Sequence, residues 1–334
     1  QGLSGARNSG LRAATGEIVA YIDDDAYPDP HWLHHLAQAF RTTDHVGVGG
    51  PNLSPPGDGP ISACIANAPG NPQEVLLSDG EAEHIPGCNM AFRRASLEAI
   101  GGFDRRFRRA GDDVDVCWRL RDRGWTLGFA PAAVVWHHRR GSIRAFWRQQ
   151  LGYGAAEAFL EAKFPERYNS VGHHTWSGRV YGPQVVPLLE GLTRIYQGVW
   201  GRAPFQSLYA GTPGTLALLP LMPEWFLGLA VLAVLACLGP LWAPLYVALP
   251  LFAVALAATL CQAARGGLGA RFGPDVDPRL RPALVLVTSF LHLMQPVARL
   301  VGRLRSGLTP WRQRAEGFDW PWPRRLALWT ECAR

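Results

Sequence analysis

Glu17-Ile-Val-Ala-Tyr-Ile-Asp-Asp-Asp25 joins an apolar run directly to three adjacent acids. The run from Ile18 to Ile22 is β-branched and aromatic, and turn residues follow it, which predicts a buried strand. Carboxylates at the carboxyl end of such a strand face the crevice in which open α/β sheets bind ligands. Because adjacent carboxylates repel each other, they are tolerated only in water or around a cation. The triplet therefore predicts either a solvated acidic turn or a site for a divalent metal.

Further motifs lie on both sides of this strand. A helix-like segment closed by Gly16 leads into it, and a later strand-like run ends at two histidines. In chain order the motifs are Ser4-Gly-Ala-Arg-Asn-Ser-Gly-Leu-Arg-Ala-Ala-Thr-Gly16, Pro86-Gly-Cys-Asn-Met-Ala-Phe-Arg-Arg94, Gly101-Gly-Phe-Asp104, Ala110-Gly-Asp-Asp-Val-Asp-Val-Cys-Trp-Arg119 and Ala133-Val-Val-Trp-His-His138. Their order and spacing, from about residue 2 to 155, resemble the family 2 glycosyltransferases, which are inverting enzymes of the GT-A fold.

This resemblance implies an α/β fold with a Rossmann-like, nucleotide-sugar-binding domain of the GT-A type over residues 1–155. In that family the domain begins with two strands that precede the helix-like segment, and the second of them carries an acid that contacts the nucleotide base. Neither strand has a counterpart after Gln1. We therefore expect the chain to be truncated at its N-terminus, with the first strands missing.

The acid cluster is the metal and donor site in this family. The resemblance implies Asp25 as the first metal ligand, Asp23 on the ribose of the donor, and Asp24 as a shared or structural group. His137 matches the place of a late metal or diphosphate contact, with an ordinary packing histidine as the alternative and His138 as a competitor. The implied cofactor is a divalent metal, Mn²⁺ or Mg²⁺.

The Gly-Asp-Asp segment supplies the expected catalytic base. A carboxylate within hydrogen-bond reach of the acceptor hydroxyl is the usual base for such a transfer. Asp113 matches the family's base by position, and Asp112 stands where the family usually has Glu. The alternative is that either acid simply caps the helix that starts near Val114.

The remaining site residues are expected around the donor and the acceptor. The resemblance implies Arg7 as a nucleotide contact, since a guanidinium offers forked donors to phosphate. Gly87 and Asn89 are expected to shape the sugar pocket. Asp112, Trp118 and Arg119 are predicted on the acceptor side, with core packing as the alternative for Trp118.

Composition excludes several other classes of protein. The net charge is +6 and the sequence pI is about 9.2, but the arginines are scattered, and Lys163 is the only lysine. This pattern does not predict nucleic-acid binding. The six cysteines show no CxxC spacing, so neither a disulfide framework nor a zinc site is expected, in keeping with a reducing compartment.

The second half of the chain predicts a membrane region. Between Arg202 and Arg265 the only charged residue is Glu224. One spanning helix needs about 20 residues, so residues 216–264 are predicted to form a transmembrane hairpin that turns near Gly239, with a buried hairpin of a soluble protein as the alternative. Arginines flank both ends, and the positive-inside rule then leaves the catalytic region on the cytoplasmic side of the membrane.

Two other segments complete the predicted domain organisation. Residues 156–215 are expected to form a helical linker or interfacial segment, because apolar residues recur at helical spacing from Leu188 to Val199. Residues 265–334 are expected to form a basic cytoplasmic tail. Within it, the apolar run 283–298 is interpreted as an interfacial or re-entrant helix.

These features together predict transfer of one sugar from a nucleotide-diphosphate donor to a lipid-linked or polysaccharide acceptor, in cell-envelope or exopolysaccharide synthesis. The segment Phe146-Trp-Arg-Gln-Gln-Leu-Gly-Tyr-Gly154 lacks the Gln-x-x-Arg-Trp motif of the family's processive synthases. Two alternatives remain open. A sugar-nucleotide nucleotidyltransferase uses similar carboxylates, and a non-catalytic membrane scaffold would explain the hairpin without the acids.

Overall fold

The computed structural model describes residues 2–168, 172–173, 176–180, 219–274 and 276–312. The helices are α1 (Leu3–Ala13), α2 (Trp32–Thr42), α3 (Pro60–Ala66), α4 (Arg94–Ala99), α5 (Asp112–Asp122), α6 (Ile143–Lys163), α7 (Trp225–Cys237), α8 (Ala248–Leu268) and α9 (Arg281–Arg305). The strands are β1 (Ile18–Ile22), β2 (Ala26–Pro28), β3 (Gly47–Gly49), β4 (Asn52–Leu53), β5 (Val75–Leu76), β6 (Glu81–His84), β7 (Asn89–Arg93), β8 (Leu127–Phe129), β9 (Val135–His137) and β10 (Arg179–Val180).

A mixed sheet forms the centre of the N-terminal region. Its strand order is β1-β7-β3-β8-β6-β5-β10, in which β3 and β8 pair in parallel and the other neighbours pair antiparallel. A second, three-stranded sheet has the order β2-β9-β4. The α/β fold expected from the sequence is confirmed.

Strand β1 packs against apolar residues on both faces, although Ala20 is exposed, and this packing explains its nearly continuous apolar sequence. Val19 and Tyr21 lie in one core cluster, while Ile18 and Ile22 pack against a second cluster that contains the inner face of α2. Successive side chains of a strand point to opposite faces. An apolar residue is therefore needed at almost every position, and the polar residues begin only where the strand ends.

The pairing registers bring the sequence motifs to one edge. Ile22, the last residue of β1, pairs with Asn89, the first residue of β7, so the acid triplet lies beside the turn at 86–88. Ala26 of β2 pairs with His137 of β9. Asp25 therefore lies next to the end of β9, although 112 residues separate it from His137.

Helix α9 packs lengthwise on α6, and glycines permit the close approach. A Cβ atom added at Gly154 would lie 2.2 Å from the carbonyl oxygen of Arg299, and one at Gly302 would lie 2.3 Å from that of Leu151. Buried Arg303 adds ion pairs to Glu157 on α6 and to Glu224 at the start of α7. The predicted domain boundary at residue 155 falls inside α6, so this helix belongs to both the catalytic region and the helical region.

Among the residues that the structure describes, two helical segments are long and apolar enough to cross a membrane, judged by length and composition. They are Ala243–Leu268, with 26 residues, and Pro278–Arg305, with 28 residues. In an apolar stretch of 18 residues within each segment, 17% of the residues are buried in the first segment and 50% in the second, because one face of α9 packs on α6 and α3. Exposed Leu286 and Phe290 lie on its other face.

The helices of this region do not have the lengths that the predicted hairpin requires. The first predicted span contains α7, which has only 13 residues, fewer than the roughly 20 that cross a bilayer. Pro220, Pro223 and the paired Glu224 precede it. The predicted interfacial or re-entrant run 283–298 is part of one continuous helix that includes Pro296. The stripe from Leu188 to Val199 and the tail after residue 312 lie outside the described residues.

Candidate active site

Three side chains form a candidate metal site at the end of β1. Asp23, Asp25 and His137 each present a ligand atom, and these atoms lie within 4.8 Å of one another. The register between β2 and β9 holds Asp25 and His137 together, with 3.1 Å between Oδ1 and Nε2. Carboxylate oxygens are the ligands that Mg²⁺ and Mn²⁺ prefer. This group could hold a divalent cation.

The two carboxylates of this group differ in their electrostatics. A hydrogen bond from His137 lowers the pKa of Asp25 in spite of partial burial, and Arg140 donates to its other oxygen at 2.8 Å. Burial raises the pKa of Asp23, although Arg7 donates to it at 3.0 Å. A bound divalent cation would favour the ionised form of both carboxylates.

The hydrogen bonds of His137 limit its use as a metal ligand. Its Nδ1 lies 3.1 Å from a guanidinium nitrogen of Arg139, which can only donate. Nδ1 is therefore the acceptor, and in the neutral ring the proton is on Nε2, which faces Asp25. Since a ligating nitrogen must be unprotonated, His137 would bind a metal only after Arg139 moved. The two carboxylates fit a cation without that change.

Asp24 lies apart from this group. Its side chain is exposed, whereas Asp23 and Asp25 are half-buried. Asp24 and Asp25 lie in a turn that the Ala26 N–H closes by donating to the carbonyl oxygen of Asp23 at 3.2 Å, and within this turn the Asp24 side chain faces solvent. Asp24 does not belong to the group of Asp23, Asp25 and His137, and its donor contact stays a prediction.

Arg7 joins the acid cluster to the start of α5. The guanidinium is 7% exposed and donates to Asp23, to Asp112 and, at 2.9 Å, to the carbonyl oxygen of Gly87. Burial opposes its charge, but the neighbouring carboxylates outweigh that effect and raise the pKa of Arg7. A Cβ at Gly87 would lie 2.6 Å from this guanidinium, so only glycine leaves room for the contact.

Asp113 lies on the same side of the sheet as Arg7. One of its carboxylate oxygens accepts from the backbone N–H of Gly87 at 3.0 Å and lies 3.5 Å from Nε2 of His84. Burial would raise the pKa of Asp113, but His84, Arg7 and the Gly87 N–H outweigh it, and the pKa lies below its usual range. The side chain keeps 22% of its surface exposed, which leaves a path for an acceptor.

Neither Asp112 nor Asp113 is the N-cap of α5, which was the alternative role predicted for them. Helix α5 has Gly111 as its N-cap, and Asp112 and Asp113 are the first two helical residues. Asp112 is bonded to Arg7, and Asp113 accepts only from its immediate neighbour Val114 among the helix N–H groups, at 2.9 Å. The helix N-terminus still favours both negative charges through its dipole.

Three residues predicted around the donor and the acceptor use their side chains for contacts within the protein. Asn89 is fully buried. Its side-chain NH2 donates to the carbonyl oxygens of Pro51 and Ala133, and its side-chain oxygen accepts from the indole N–H of Trp32. It therefore supports the sheet edge from within. The structure does not place Asn89 where a donor contact was predicted.

The side chains of Trp118 and Arg119 on α5 also make contacts within the protein. Trp118 is 1% exposed and packs edge-on against Phe164, as its alternative interpretation predicted. Arg119 donates to Asp115 and to the carbonyl oxygens of Ile100 and Gly102, so it holds the preceding loop on α5. Neither residue is brought to the acceptor side.

Several residues in and around the site were missed from the sequence. Arg139 and Arg140 directly follow the two histidines, so the end of β9 was a usable signal. His84 stands two residues before the Pro86 motif, and nothing in the sequence singled it out. Glu74 was equally inconspicuous, because it lies in an irregular segment before β5.

Glu74 is an acid buried beside the site. It is 3% exposed, and its carboxylate accepts from Asn52 at 3.4 Å. Burial is the largest influence on it and raises the pKa of Glu74 from 4.5 to about 7. The folded protein therefore favours the protonated acid at pH values at which the unfolded chain has already released the proton.

We expect Glu74→Gln to stabilise the protein at alkaline pH. As pH rises from about 4.5 to about 7, the wild type loses stability because only the unfolded state ionises, and the loss is complete above pH 7. With about 1.4 kcal/mol per pKa unit, the gain of the variant above pH 7 is at most about 3 to 4 kcal/mol. Denaturant unfolding at pH 5 and pH 8.5 measures it. Exposed Glu166→Gln is the control, and an equal effect at both pH values would contradict the prediction.

Comparison with known proteins defines the class of this site. Residues 1–101 match the family model described as "Glycosyl transferase family 2", and residues 79–154 match "Glycosyl transferase family 21". Together the two matches contain the acid triplet, the Gly-Cys-Asn turn and the Gly-Asp-Asp segment. The N-terminal region of the chain is a glycosyltransferase domain of family 2, as its motifs indicated.

Curated relatives share this region. The chain is 30% identical over 173 residues to the pre-mycofactocin glycosyltransferase of Mycobacterium tuberculosis, covering 50% of this chain and 36% of that protein. It is 29% identical over 140 residues to the glucosyl-dolichyl phosphate glucuronosyltransferase of Haloferax volcanii, covering 37% and 43%. It is also 29% identical over 138 residues to the succinoglycan biosynthesis protein ExoM of Rhizobium meliloti, covering 40% and 43%. The chain thus matches less than half the length of each of these relatives.

Proposed function

We propose that the full-length protein transfers a single sugar, with inversion, from a nucleotide-diphosphate donor to a lipid-linked or polysaccharide acceptor. One observation carries this proposal. Arg7 bonds Asp23 in the candidate metal site, while Gly87 accepts from Arg7 and donates to Asp113. The candidate metal site, which would bind the diphosphate, and Asp113, which would act as the base, are thereby joined by hydrogen bonds in one site.

The residues take different parts in the proposed transfer. Asp23 and Asp25 would hold the divalent metal, which when bound neutralises charge on the departing diphosphate. Arg7 supplies a fixed positive charge on the same side. Asp113 accepts the proton of the acceptor hydroxyl as its oxygen bonds to the anomeric carbon. Attack from the face opposite the diphosphate gives inversion in a single step.

The acceptor and the location are proposed from the helical region and the relatives. Exposed Leu241, Trp242 and Val254 give Ala243–Leu268 and the turn before it an apolar surface that suits a bilayer. One relative is named for action on a dolichyl phosphate and another for succinoglycan synthesis. We infer that the protein acts at the cytoplasmic face of a membrane, where arginines such as Arg265 and Arg271 flank the apolar segment.

A donor survey tests this function. The full-length protein in detergent is incubated with Mn²⁺, a membrane lipid extract and UDP-, GDP- or dTDP-hexoses. We expect release of a nucleoside diphosphate from one donor class and a product whose anomeric configuration by NMR is opposite to that of the donor. Release of pyrophosphate from a nucleoside triphosphate and a sugar phosphate would favour a nucleotidyltransferase. Membrane binding without turnover of any donor would favour a scaffold.

A further inference from the structure

His84 is a buried histidine that faces the proposed base. It lies at the end of β6 and is 7% exposed. Its Nε2 is 3.5 Å from a carboxylate oxygen of Asp113 and has no closer hydrogen-bond partner among the described residues. The ring of Trp176 lies over it, with 5.6 Å between centroids and 33° between planes. A titratable nitrogen is thus held against the base in a site largely closed to water.

The other nitrogen of the ring fixes the tautomer. Nδ1 of His84 lies 3.2 Å from the carbonyl oxygen of Gln73, which can only accept. Nδ1 therefore carries a proton, and in the neutral ring Nε2 has a free lone pair. That lone pair points toward Asp113. Unlike His137, whose Nδ1 faces a guanidinium, His84 is prepared to receive a proton at Nε2.

We propose that His84 is the proton acceptor behind Asp113, an inference that rests on the proposed function. The acceptor O–H bond breaks as its oxygen bonds to the anomeric carbon, while the bond from that carbon to the diphosphate breaks and its electron pair leaves with the diphosphate. The proton goes to Asp113 and then to Nε2 of His84. It returns to water when the products leave.

The surroundings of Asp113 explain why a second acceptor is useful. The protonated ring of His84, followed by Arg7 and the Gly87 N–H, lowers the pKa of Asp113 in spite of its burial, so this carboxylate is a weak base and would pass a proton on to a stronger one. An unprotonated imidazole nitrogen is a stronger base than a carboxylate oxygen, so it can take the proton from Asp113. Among the described residues, the charged or titratable groups that face His84 are Asp113 on α5 and Glu74 before β5.

Two isosteric variants separate this role from simpler ones. His84→Asn can keep a donor in the place of Nδ1 and so retain the contact to Gln73. His84→Gln can keep a hydrogen bond in the place of Nε2 and so retain the contact to Asp113. Neither accepts a proton near neutral pH. We expect both variants of the full-length protein to lose about 100-fold in kcat, with the donor KM nearly unchanged and the acid limb of the pH–rate profile displaced from that of the wild type.

The kinetic outcomes decide between the roles. Wild-type kcat in His84→Asn would show that His84 only holds Gln73, and wild-type kcat in His84→Gln would show that it only orients Asp113. Either result overturns the proposal, as does an unchanged acid limb in both variants. His34→Gln, on the exposed face of α2, is the control and should keep the wild-type rate and profile.

A measurement without turnover keeps this proposal distinct from the proposed function. Nitrogen-15 NMR of the histidine-labelled protein at about pH 9, with the signal identified by its loss in His84→Asn, should show the Nδ1–H tautomer of His84. An Nε2–H tautomer would overturn the inference even in an active enzyme. If the tautomer is as expected and Asp113→Asn remains fully active, the assignment of the base has failed and the relay fails with it.

Discussion

Asp113→Asn is expected to lower kcat by about 10²–10⁴-fold while leaving donor affinity nearly unchanged. The N–H groups of Gly87 and Val114 donate to different carboxylate oxygens of Asp113, so the single oxygen of asparagine can keep one of these two bonds. The helix start should still stay intact, because its N-cap is Gly111 and not Asp113. What it loses is the ability to take the acceptor proton in the transition state. The measurements are kcat for transfer and calorimetric binding of the nucleoside diphosphate in the presence of Mn²⁺.

A matched control separates loss of the base from loss of a charge on α5. Asp122 lies at the other end of the same helix, where it pairs with Arg167 and is 47% exposed. Asp122→Asn should keep the wild-type rate and thermal stability. Near-normal turnover in Asp113→Asn would rule out Asp113 as the base. Asp112 would then be examined next, because Arg7 holds it beside the same site.

Removing the divalent cation is expected to abolish nearly all transfer. Without it, the departing diphosphate would develop negative charge next to the carboxylates of Asp23 and Asp25, with Arg7 and Arg140 as the nearby compensating cations. Dialysis against EDTA should stop turnover, and Mn²⁺ or Mg²⁺ should restore it. Full activity in EDTA would contradict the metal site and favour the alternative interpretation of the acid triplet as a solvated turn.

Direct metal binding tests the same site without an assay of transfer. Asp25→Asn should weaken Mn²⁺ binding, measured by electron paramagnetic resonance of the free ion, because it removes one of two carboxylate ligands. Asp44→Asn, an exposed acid after α2, should bind Mn²⁺ as the wild type does. If His137→Gln binds Mn²⁺ normally, the histidine is a partner of Asp25 and not a ligand, as its contact with Arg139 indicates.

The sequence by itself determined features that depend on neighbours along the chain. The apolar run ending at Ile22 specified β1, and the acids after it could lie only at the sheet edge, because a buried strand has no place for three carboxylates. The Gly-Asp-Asp segment specified the start of α5 in the same way. The absence of charge between Trp225 and Ala264 specified an apolar helical region. Each of these signals is local, so no long-range information was needed.

Only the tertiary structure decided which of these side chains meet. Asn89 and Arg119 lie in motifs that looked functional, yet their hydrogen bonds are used within the protein. His84 carried no signal, yet the position of α5 beside β6 puts it against Asp113, 29 residues away in sequence. The physical reason is that hydrogen bonds and close ion pairs form only when the two atoms lie within about 3 to 4 Å of each other. Whether two distant residues come that close depends on strand register and helix packing, which the pattern of residue types along the chain does not record.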